Sequence, residues 1–454
     1  MKFLLLFIAL SVSAADWPTY RADAARSGVT QEKINFPLRS VWTHQPVHAP
    51  RPAWRGPAKS DEYNKVKELK NRQLFDHAFH VVVDAANVYF GSSADDQIHC
   101  LDLRTGKEKW TYFTEGPVRF APTLYDGKLY VGSDDGHAYC ISTAGKLIWK
   151  KLLAPRDYRI AGNNRIISAW PVRTGILVRD GIAYAGAGMF PKEEVYLMAL
   201  DSVNGDLKWK EGQRERPAQG YLLLSETRVF VPTGRNNPIV YMRDSHKRDG
   251  SAEESLAGKN DAFTLINPFP NSPPKSRKNG RILGAIKDQD PESFATFTGN
   301  HMIIADGKSY LQARGELSAL DRMRYRKLLG EYSAVSDNKK NLARKLKDFK
   351  NKATPEAEMV IDQIKACDRR ESEIKIAVKD CILWRAPCSQ NLALILAGNT
   401  LFAGGNKEVV AYNTKDGKKT WSAPVNGEAR GIAVAHGQLL VSTDKGTIHC
   451  FGTK

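Results

Sequence analysis

The chain has 454 residues, 42% of them hydrophobic, so it can bury a large core, and length alone allows two or three domains. Its net charge of +17 would suit a nucleic-acid or membrane partner, but no basic stripe interleaved with aromatic residues is present. We therefore expect no nucleic acid, and interpret the charge as solvated surface or as a match for an anionic partner such as lipid headgroups or polysaccharide.

The first fifteen residues predict a cleaved signal peptide (1–15). Lys2 precedes an apolar run at 3–10, and the small residues at 13–15 suit a signal peptidase. The run is about half as long as a membrane span, and no cysteine stands at the cleavage point, so we expect neither a transmembrane segment nor a lipid anchor. The sequence thus predicts an exported protein whose repeat region is preceded by a segment at 16–37.

One pattern recurs along the chain from residue 38. The stretch 116–149, GPVRFAPTLYDGKLYVGSDDGHAYCISTAGKLIW, contains four short alternating strands separated by Asp-Gly and Gly turns. Such turns tolerate positive φ, and the order is typical of a four-stranded antiparallel meander. Related copies occupy 175–209, 302–321 and 392–421, and a weaker copy without its Trp occupies 221–244.

The last copy, 431–454, has three strands, and the missing fourth is supplied by LRSVWTHQP at 38–46. The sequence therefore predicts an all-β fold: one β-propeller over 38–454, closed by an N-terminal strand. The copies give seven blades, or eight if a divergent blade lies inside an insertion.

A Trp ends the outer strand of most copies, where a large flat side chain can pack on the neighbouring blade. We predict this structural role for Trp42, Trp110, Trp149, Trp209, Trp384 and Trp421.

Cys100, Cys140 and Cys450 recur at one strand position, so they are expected to be small buried side chains. The pairing of Cys367, Cys381 and Cys388 stays open. The acidic pairs at 95–96 and 134–135 are interpreted as turn residues rather than Ca²⁺ ligands.

Two segments do not fit the repeat. The segment 321–380 has apolar residues at heptad spacing and a helix start at Thr354 and Pro355, so it predicts an antiparallel helical hairpin. Lys339 and Glu371 interrupt the two heptads at opposite positions and are expected to fix its register. The segment 245–285 is rich in Ser, Pro, Gly and Lys and predicts a long surface loop.

Candidate ligand-binding residues lie near the starts of innermost strands. Arg119, Arg173 and Arg430 could hold an anionic group or an acidic peptide by bidentate contacts, or else be rim arginines in water. Trp170 and Tyr221 occupy comparable positions and offer flat apolar contacts, or else pack in the core. Spacings around His77 and His80, with His44 or His48, match no strong metal motif, so no metal site is predicted.

The stretches LDLRTGKEKW, YDGKLYVGSDDG and NTKDGKKTW closely resemble the pyrroloquinoline-quinone-like (PQQ-like) repeat of exported β-propellers, over 38–454 apart from the insertions. Residues 16–30 are similar to the lead-in of exported bacterial members of this family, so the resemblance implies a lead-in at 16–37 and a bacterial, periplasmic or extracellular location. The family holds quinoprotein dehydrogenases and non-catalytic scaffolds such as the outer-membrane assembly factor BamB.

The dehydrogenases of this family hold PQQ above a Trp floor, often under a disulfide of adjacent cysteines, with Ca²⁺ on acidic and amide ligands and an Asp as base. This sequence has no adjacent cysteines and no matching set of Glu, Asn and Asp. We therefore expect no cofactor and no catalytic residue. The expected function is binding to a cell-envelope protein or scaffolding. The alternative is a PQQ-dependent oxidoreductase that uses PQQ and Ca²⁺. The oligomeric state stays open.

Overall fold

The computed structural model describes most of the chain after residue 14. The described residues are 15–53, 60–61, 66–67, 75–162, 164–233, 238–251, 256–259, 262–265, 282–286, 293–298, 300–351 and 353–453, with strand backbone alone between 249 and 298. Residues 1–14, nearly all of the predicted signal peptide, lie outside this description. Strands make up 46% of the chain, so the protein is mostly β, as predicted.

Six four-stranded antiparallel sheets follow one another within the described residues. Sheet 1 is Val82–Val83, Asn87–Gly91, Gln97–Asp102 and Glu108–Phe113; sheet 2 is Thr123–Tyr125, Lys128–Gly132, His137–Ser142 and Leu147–Leu152; sheet 3 is Leu177–Arg179, Ile182–Ala187, Val195–Asp201 and Leu207–Gln213. Sheet 4 is Leu223–Leu224, Arg228–Val231, Ile239–Met242 and Arg248–Ser251; sheet 5 is Leu256–Lys259, Ala262–Leu265, Ile282–Ile286 and Ser293–Thr298; sheet 6 is His301–Ala305, Lys308–Ala313, Glu316–Asp321 and Ile382–Pro387.

Sheet 7 is larger and contains both ends of the repeat region. Its seven strands, in order, are Val29–Thr30, Ala393–Ala397, Thr400–Asn413, Lys419–Ala435, Gln438–Thr443, Ile448–Gly452 and Arg39–His44. The N-terminal strand pairs antiparallel with the C-terminal one and sets Trp42 opposite Cys450. The number of blades and the closure of a ring stay predictions.

Short pairings and one short helix complete the strand regions. They are Arg159–Gly162 with Arg165–Ser168, Thr174–Gly175 parallel to Gly220–Tyr221, Ser60–Asp61 with Val66–Lys67, and a 3₁₀ turn at Pro191–Glu193.

The turns explain why each sheet is a meander. Between the first two strands of sheet 2, Asp126 and Gly127 adopt φ of 50° and 66°. Positive φ at both central residues is what a two-residue hairpin turn with the right strand twist requires. The middle strands have both faces buried; Leu129, Tyr130 and Val131 are at most 2% exposed.

Tryptophans join successive sheets. Trp384 Nε1 donates to the Thr414 carbonyl at 2.9 Å, and its ring lies against Gly417, where an added Cβ would sit 2.5 Å from the ring. The same donation to a carbonyl at the flank of another sheet is made by Trp42, Trp110 and Trp149, onto Leu103, Thr143 and Ser202. Trp421 donates within sheet 7, to the Leu38 carbonyl next to Arg39–His44. Trp209 differs: it stacks on His246 at 4.8 Å, and its indole nitrogen has no hydrogen-bond partner.

The small residues of the repeat make room for these rings. Cys140 lies directly opposite Trp149, as Cys100 lies opposite Trp110, and both cysteines are fully buried. Cys450 is buried in the same way opposite Trp42, so the prediction of small buried side chains is confirmed. All six cysteines, including Cys367, Cys381 and Cys388, carry free thiols.

The insertion at 321–380 forms two long helices, α1 (Arg322–Asp348) and α2 (Pro355–Lys379). The Thr354 hydroxyl accepts a hydrogen bond from the Ala357 backbone at 3.2 Å and caps α2, whose first residue is Pro355. Lys339 donates to Glu371 at 3.1 Å across the pair. Among the described residues, no helix has both the length and the apolar content needed to cross a membrane.

The insertion at 245–285 differs from its prediction. Parts of sheets 4 and 5 lie there, namely Arg248–Ser251, Leu256–Lys259, Ala262–Leu265 and Ile282–Ile286, while 266–281 lies outside the described residues. The strands are four or five residues long and lack the repeat's Trp, and Asp249-Gly250 lies inside a strand instead of in a turn, while the Ser-, Pro- and Lys-rich stretch dominates the local composition. The composition of 245–285 therefore predicted a loop, whereas the described parts of this segment pair as strands of sheets 4 and 5.

Candidate functional site at the channel

Asp134 organises the first group of candidate residues. It lies in the turn after Lys128–Gly132, and its carboxylate is 1% exposed. Arg119 Nε donates to it at 2.7 Å, and Arg173 donates twice, from Nε and Nη2, both at 2.9 Å. Burial by itself would raise the pKa of Asp134, but the two guanidiniums hold that pKa below its ordinary value.

The network continues to the segment that precedes sheet 1. Arg119 Nη1 donates to Asp76 at 2.8 Å and to the Arg51 carbonyl at 2.8 Å, and Asp76 also accepts from the Ala53 backbone at 2.7 Å. Two guanidiniums and two carboxylates thus share one buried, charge-balanced cluster. The structure brings Arg119 and Arg173 together, but their donors bind protein carboxylates; a ligand-binding role for either one stays a prediction.

Arg430 lies apart from this cluster. Its guanidinium, about one-fifth exposed, donates to Glu428 from Nε at 2.9 Å and from Nη2 at 2.6 Å. It lines a pocket whose other polar or aromatic walls are Trp17, Tyr20, Arg21, His80 and His301. These walls come from the lead-in, from the segment before sheet 1, from sheet 6 and from sheet 7.

The lead-in, predicted only as an N-terminal approach, forms the floor of this pocket. Trp17 exchanges two backbone hydrogen bonds of 2.9 Å with Val83 of sheet 1. Further along, the carbonyls of Pro18, Ala24 and Gly28 accept hydrogen bonds from the amides of Leu124, Leu224 and Leu396, in sheets 2, 4 and 7. One short segment of chain is therefore hydrogen-bonded to strands of four sheets.

Two buried arginines fasten the lead-in from within. Arg21 donates to the Leu394 carbonyl at 3.1 Å, and Arg26 donates to the Leu222 carbonyl at 2.9 Å. Within the part of the chain that the structure describes, neither forms an ion pair, and burial lowers the pKa of Arg26 to about 10. Sequence reasoning missed both residues because their acceptors are backbone carbonyls about 200 and 370 residues away.

Aromatic rings fill the space above the lead-in. Tyr20 stacks on Tyr221 with centroids 3.7 Å apart and planes 10° from parallel, and Arg26 lies over the Tyr221 ring at 5.1 Å. The Tyr221 hydroxyl accepts from the Ala121 backbone at 2.9 Å. Trp170 is also buried, and its indole donates to the Glu193 and Glu194 carbonyls. The flat faces of Tyr221 and Trp170 are thus packed against protein, and a ligand contact by either stays a prediction.

Two histidines, His80 and His301, line the pocket. His80 meets Tyr20 edge-on at 4.8 Å, and burial, followed by the nearby Arg430 charge, lowers its pKa to about 3. His301 Nε2 lies 3.0 Å from the Asn391 carbonyl oxygen. A neutral imidazole next to the Arg430 and Arg21 guanidiniums suits a carboxylate or another small anion.

Metal and quinone chemistry find no matching donor set here. No group of three His, Cys, Asp or Glu side chains converges among the described residues, His44, His48, His77 and His80 included. Asp95 contacts His99 at 3.2 Å, Asp96 pairs with Arg165, and Asp135 accepts from the His137 backbone at 2.8 Å. The Tyr20 and Tyr221 rings are in contact and leave no gap for a flat quinone between them, and no carboxylate set for Ca²⁺ converges beside them among the described residues.

A family model described as outer membrane protein assembly factor BamB matches residues 39–211 and 373–453, more than half of the chain. The chain belongs to this family. The PQQ-like family predicted from the repeat is therefore confirmed.

Individual relatives of this family member are distant. A quinohemoprotein alcohol dehydrogenase of Comamonas testosteroni is 27% identical over 173 residues, 34% of this chain and 23% of that protein. A 1-butanol dehydrogenase (cytochrome c) of Thauera butanivorans is 32% identical over 102 residues, 19% of this chain and 14% of that protein. The chain thus matches less than a quarter of the length of either.

A solved structure shows the same fold. The quinohemoprotein alcohol dehydrogenase of Pseudomonas putida HK5 aligns with a TM-score of 0.57 at 11% identity, covering 96% of this chain and 80% of that one. The solved structures that this PQQ-like chain resembles are β-propellers.

Proposed function

We propose that this protein is an exported, non-catalytic β-propeller that binds a cell-envelope protein and acts as a scaffold. In this proposal the six four-stranded sheets are blades, and sheet 7 supplies two more, which makes eight. The ring is closed by the pairing of Arg39–His44 with Ile448–Gly452.

One observation carries the proposal: the chain's own lead-in occupies the floor of the channel. The backbone hydrogen bonds made by Trp17, Pro18, Ala24 and Gly28, the Tyr20–Tyr221 stack and the buried Arg21 and Arg26 fill this part of the protein with its own chain. The two buried carboxylates nearby, Asp76 and Asp134, hold Arg119 in place. This arrangement favours a rigid platform over a reaction chamber.

The binding group that stays accessible is Arg430, beside His80 and His301. A guanidinium and imidazoles at the edge of a rigid ring suit a carboxylate of an acidic peptide. We therefore assign the partner contact to this pocket, and expect the partner segment to compete with Glu428 for Arg430.

The alternative is a PQQ-dependent quinoprotein oxidoreductase. It is favoured by the names of the two curated relatives, both alcohol dehydrogenases. A PQQ-loaded form would require the Tyr20 and Tyr221 rings to move apart.

The test is a titration of the purified mature protein with PQQ and Ca²⁺, following absorbance and melting temperature together. We expect no saturable change in either. A saturable shift accompanied by turnover of an alcohol would overturn the scaffold proposal in favour of the oxidoreductase.

The partner contact is tested separately by cross-linking in a cell-envelope fraction. Arg430→Gln should lose a cross-linked band that the wild type forms. Arg385→Gln is the matched control, since Arg385 is an exposed arginine with one carboxylate partner, Glu316 at 3.0 Å. A band of equal strength in both variants would show that Arg430 does not make the contact.

A further inference from the structure

Glu32, near the end of the lead-in, is a buried residue whose carboxylate meets a turn of sheet 7. The residue is 3% exposed. Its carboxylate accepts hydrogen bonds from the backbone amides of His436, at 3.0 Å, and of Gly437, in the turn between Lys419–Ala435 and Gln438–Thr443. Both turn residues have positive φ, of 51° and 73°, and successive backbone amides of such a turn form a concave site for an anion. Two backbone donors therefore hold the Glu32 carboxylate against sheet 7.

No cationic side chain balances this carboxylate. Within the described residues, Glu32 forms no ion pair with a lysine, arginine or histidine, and the His436 imidazole lies 2.8 Å from Asp16 instead. Removing a carboxylate from water is costly, and neutral hydrogen bonds offset that cost less well than a cation does. The third donor to Glu32 therefore decides whether the site is charge-balanced.

The third donor is the backbone nitrogen of Ala15, which lies 3.2 Å from Glu32 Oε2. Ala15 is also the last residue of the predicted signal peptide, and both Ala14 and Ala15 are small enough to precede the cut. The two possible cuts have opposite effects on Glu32. A cut after Ala14 turns this nitrogen into the terminal ammonium of the mature chain, whereas a cut after Ala15 removes it.

We propose that the signal peptide is cleaved between Ala14 and Ala15, and that the new terminal ammonium forms a buried ion pair with Glu32. Signal peptidase consumes one water at this amide bond. The water oxygen ends in the Ala14 carboxylate, and its two hydrogens end on the Ala15 nitrogen. The cut lies one residue before the end of the predicted segment 1–15. The inference rests on the export that is part of the proposed function.

The ion pair fastens the processed end of the chain to the sheets. Asp16, the next residue, contacts His436 Nε2 at 2.8 Å, and Trp17 exchanges two backbone hydrogen bonds with Val83 of sheet 1. The uncleaved precursor has an uncharged amide at Ala15, so it can form the hydrogen bond but not the ion pair. Cleavage therefore strengthens a contact between the lead-in and sheet 7.

The cut is tested by N-terminal sequencing of the protein purified from the envelope of a bacterium that expresses all 454 residues. The expected sequence is Ala-Asp-Trp. A chain that begins at Asp16 would overturn the inference and leave the proposed export intact. A chain that keeps residues 1–14 would contradict both.

The ion pair is tested by comparing a chain that begins at Ala15 with one that begins at Gly-Ser before Ala15. Each is released from an N-terminal fusion by a protease that leaves no residue of its own. The two chains have the same net charge, and only the position of the ammonium differs. In denaturant titration at pH 7, the equilibrium constant for unfolding should be about tenfold smaller for the chain that begins at Ala15.

This difference should shrink as the pH rises from about 8 to about 10. The ordinary pKa of an α-amino group is about 8, and a neighbouring carboxylate raises that pKa in the folded chain, so the added stability is present below about pH 8 and is lost as the ammonium deprotonates. The neighbouring charged side chains, Asp16, Lys33 and His436, are common to both chains, and their titration cancels in the comparison.

The matched pair of variants is Glu32→Gln and Glu316→Gln, each made in both chains. Glu32→Gln should abolish the difference between the two starts, whereas Glu316→Gln, at an exposed glutamate paired with Arg385, should preserve it. The ion pair is refuted by equal stability of the two starts at pH 7, or by a difference that persists at pH 10 or in Glu32→Gln. If Glu32→Gln does not fold, the pH dependence of the two unsubstituted chains decides.

Discussion

The channel residues are individually ordinary, and their roles come from burial. Arg119 and Arg173 would be solvated cations on a surface, but beside the buried Asp134 they become parts of a charge-balanced cluster. His80 shows the same effect on protonation: burial and Arg430 lower its pKa to about 3, so the folded protein holds a neutral imidazole at neutral pH.

We predict that His80 makes the protein less stable in acid. The unfolded chain gains a proton on His80 below about pH 6.5, whereas the folded chain does not until about pH 3, so stability is complete above 6.5 and falls through this window. From pH 7.5 to 5.0 the loss should approach about 2 kcal/mol. The measurement is the unfolding midpoint at both pH values.

His80→Gln should flatten that pH dependence, because glutamine does not titrate. His48→Gln, at an exposed histidine, is the control and should keep the wild-type dependence. An unchanged slope in His80→Gln would mean that folding does not lower the pKa of His80.

Sheets are joined through a repeated contact between a Trp and a glycine of the following turn. Trp384 lies on Gly417, Trp42 on Gly106, and Trp149 on Gly205. Each glycine has positive φ and leaves no space for a Cβ, so one residue satisfies both the turn and the contact. Where His246 replaces glycine, Trp209 stacks on the imidazole and leaves its indole nitrogen unpaired.

We predict that Gly417→Ala destabilises the protein more than Gly181→Ala. The two glycines have φ of 72° and 73°, so the backbone strain of the substitution is the same. A Cβ at Gly417 would sit 2.5 Å from Trp384, whereas nothing lies within 4 Å of one at Gly181. The steric overlap should cost Gly417→Ala about 1–3 kcal/mol more, measured by denaturant unfolding. Equal losses would show that Trp384 moves aside freely.

At the scale of the whole molecule, two parts of the chain lie outside the sheets: the lead-in and the helical hairpin α1–α2. The lead-in forms backbone hydrogen bonds with strands of sheets 1, 2, 4 and 7. The helical hairpin, by contrast, packs mainly on itself and, at its base, on Lys308–Ala313 and Glu316–Asp321. Removing one part should therefore affect the fold differently from removing the other.

We predict that residues 322–380 can be replaced by Asn-Gly without unfolding the rest. The Asp321 amide and the Cys381 carbonyl already form a strand-pair hydrogen bond, so a two-residue turn fits between them. The shortened protein should lose its helical circular dichroism and keep its melting temperature within a few degrees.

Deleting 16–37 instead should abolish cooperative unfolding. If the protein without residues 16–37 stays soluble and keeps the wild-type melting temperature, the lead-in is not needed to hold the sheets together.

The sequence by itself determined the features that depend on neighbours in the chain. Asp126 and Gly127 predict a hairpin wherever they stand, Thr354 and Pro355 predict a helix start, and the heptads of 321–380 predict two paired helices. The repeat identified the family, because turn residues and the alternation of apolar and polar residues in strands are patterns over a few neighbouring positions. Sheet 5 was missed because its strands carry no such period.

Only the tertiary structure decided what occupies the channel. Arg26 binds the carbonyl of Leu222, Arg21 binds that of Leu394, and Tyr20 stacks on Tyr221. Every residue has a backbone carbonyl, so the residue types at 222 and 394 do not show that these carbonyls accept hydrogen bonds from arginines. The fold brings these partners together from distant parts of the chain, and Tyr20, Arg21, His80 and Arg430 then line one pocket.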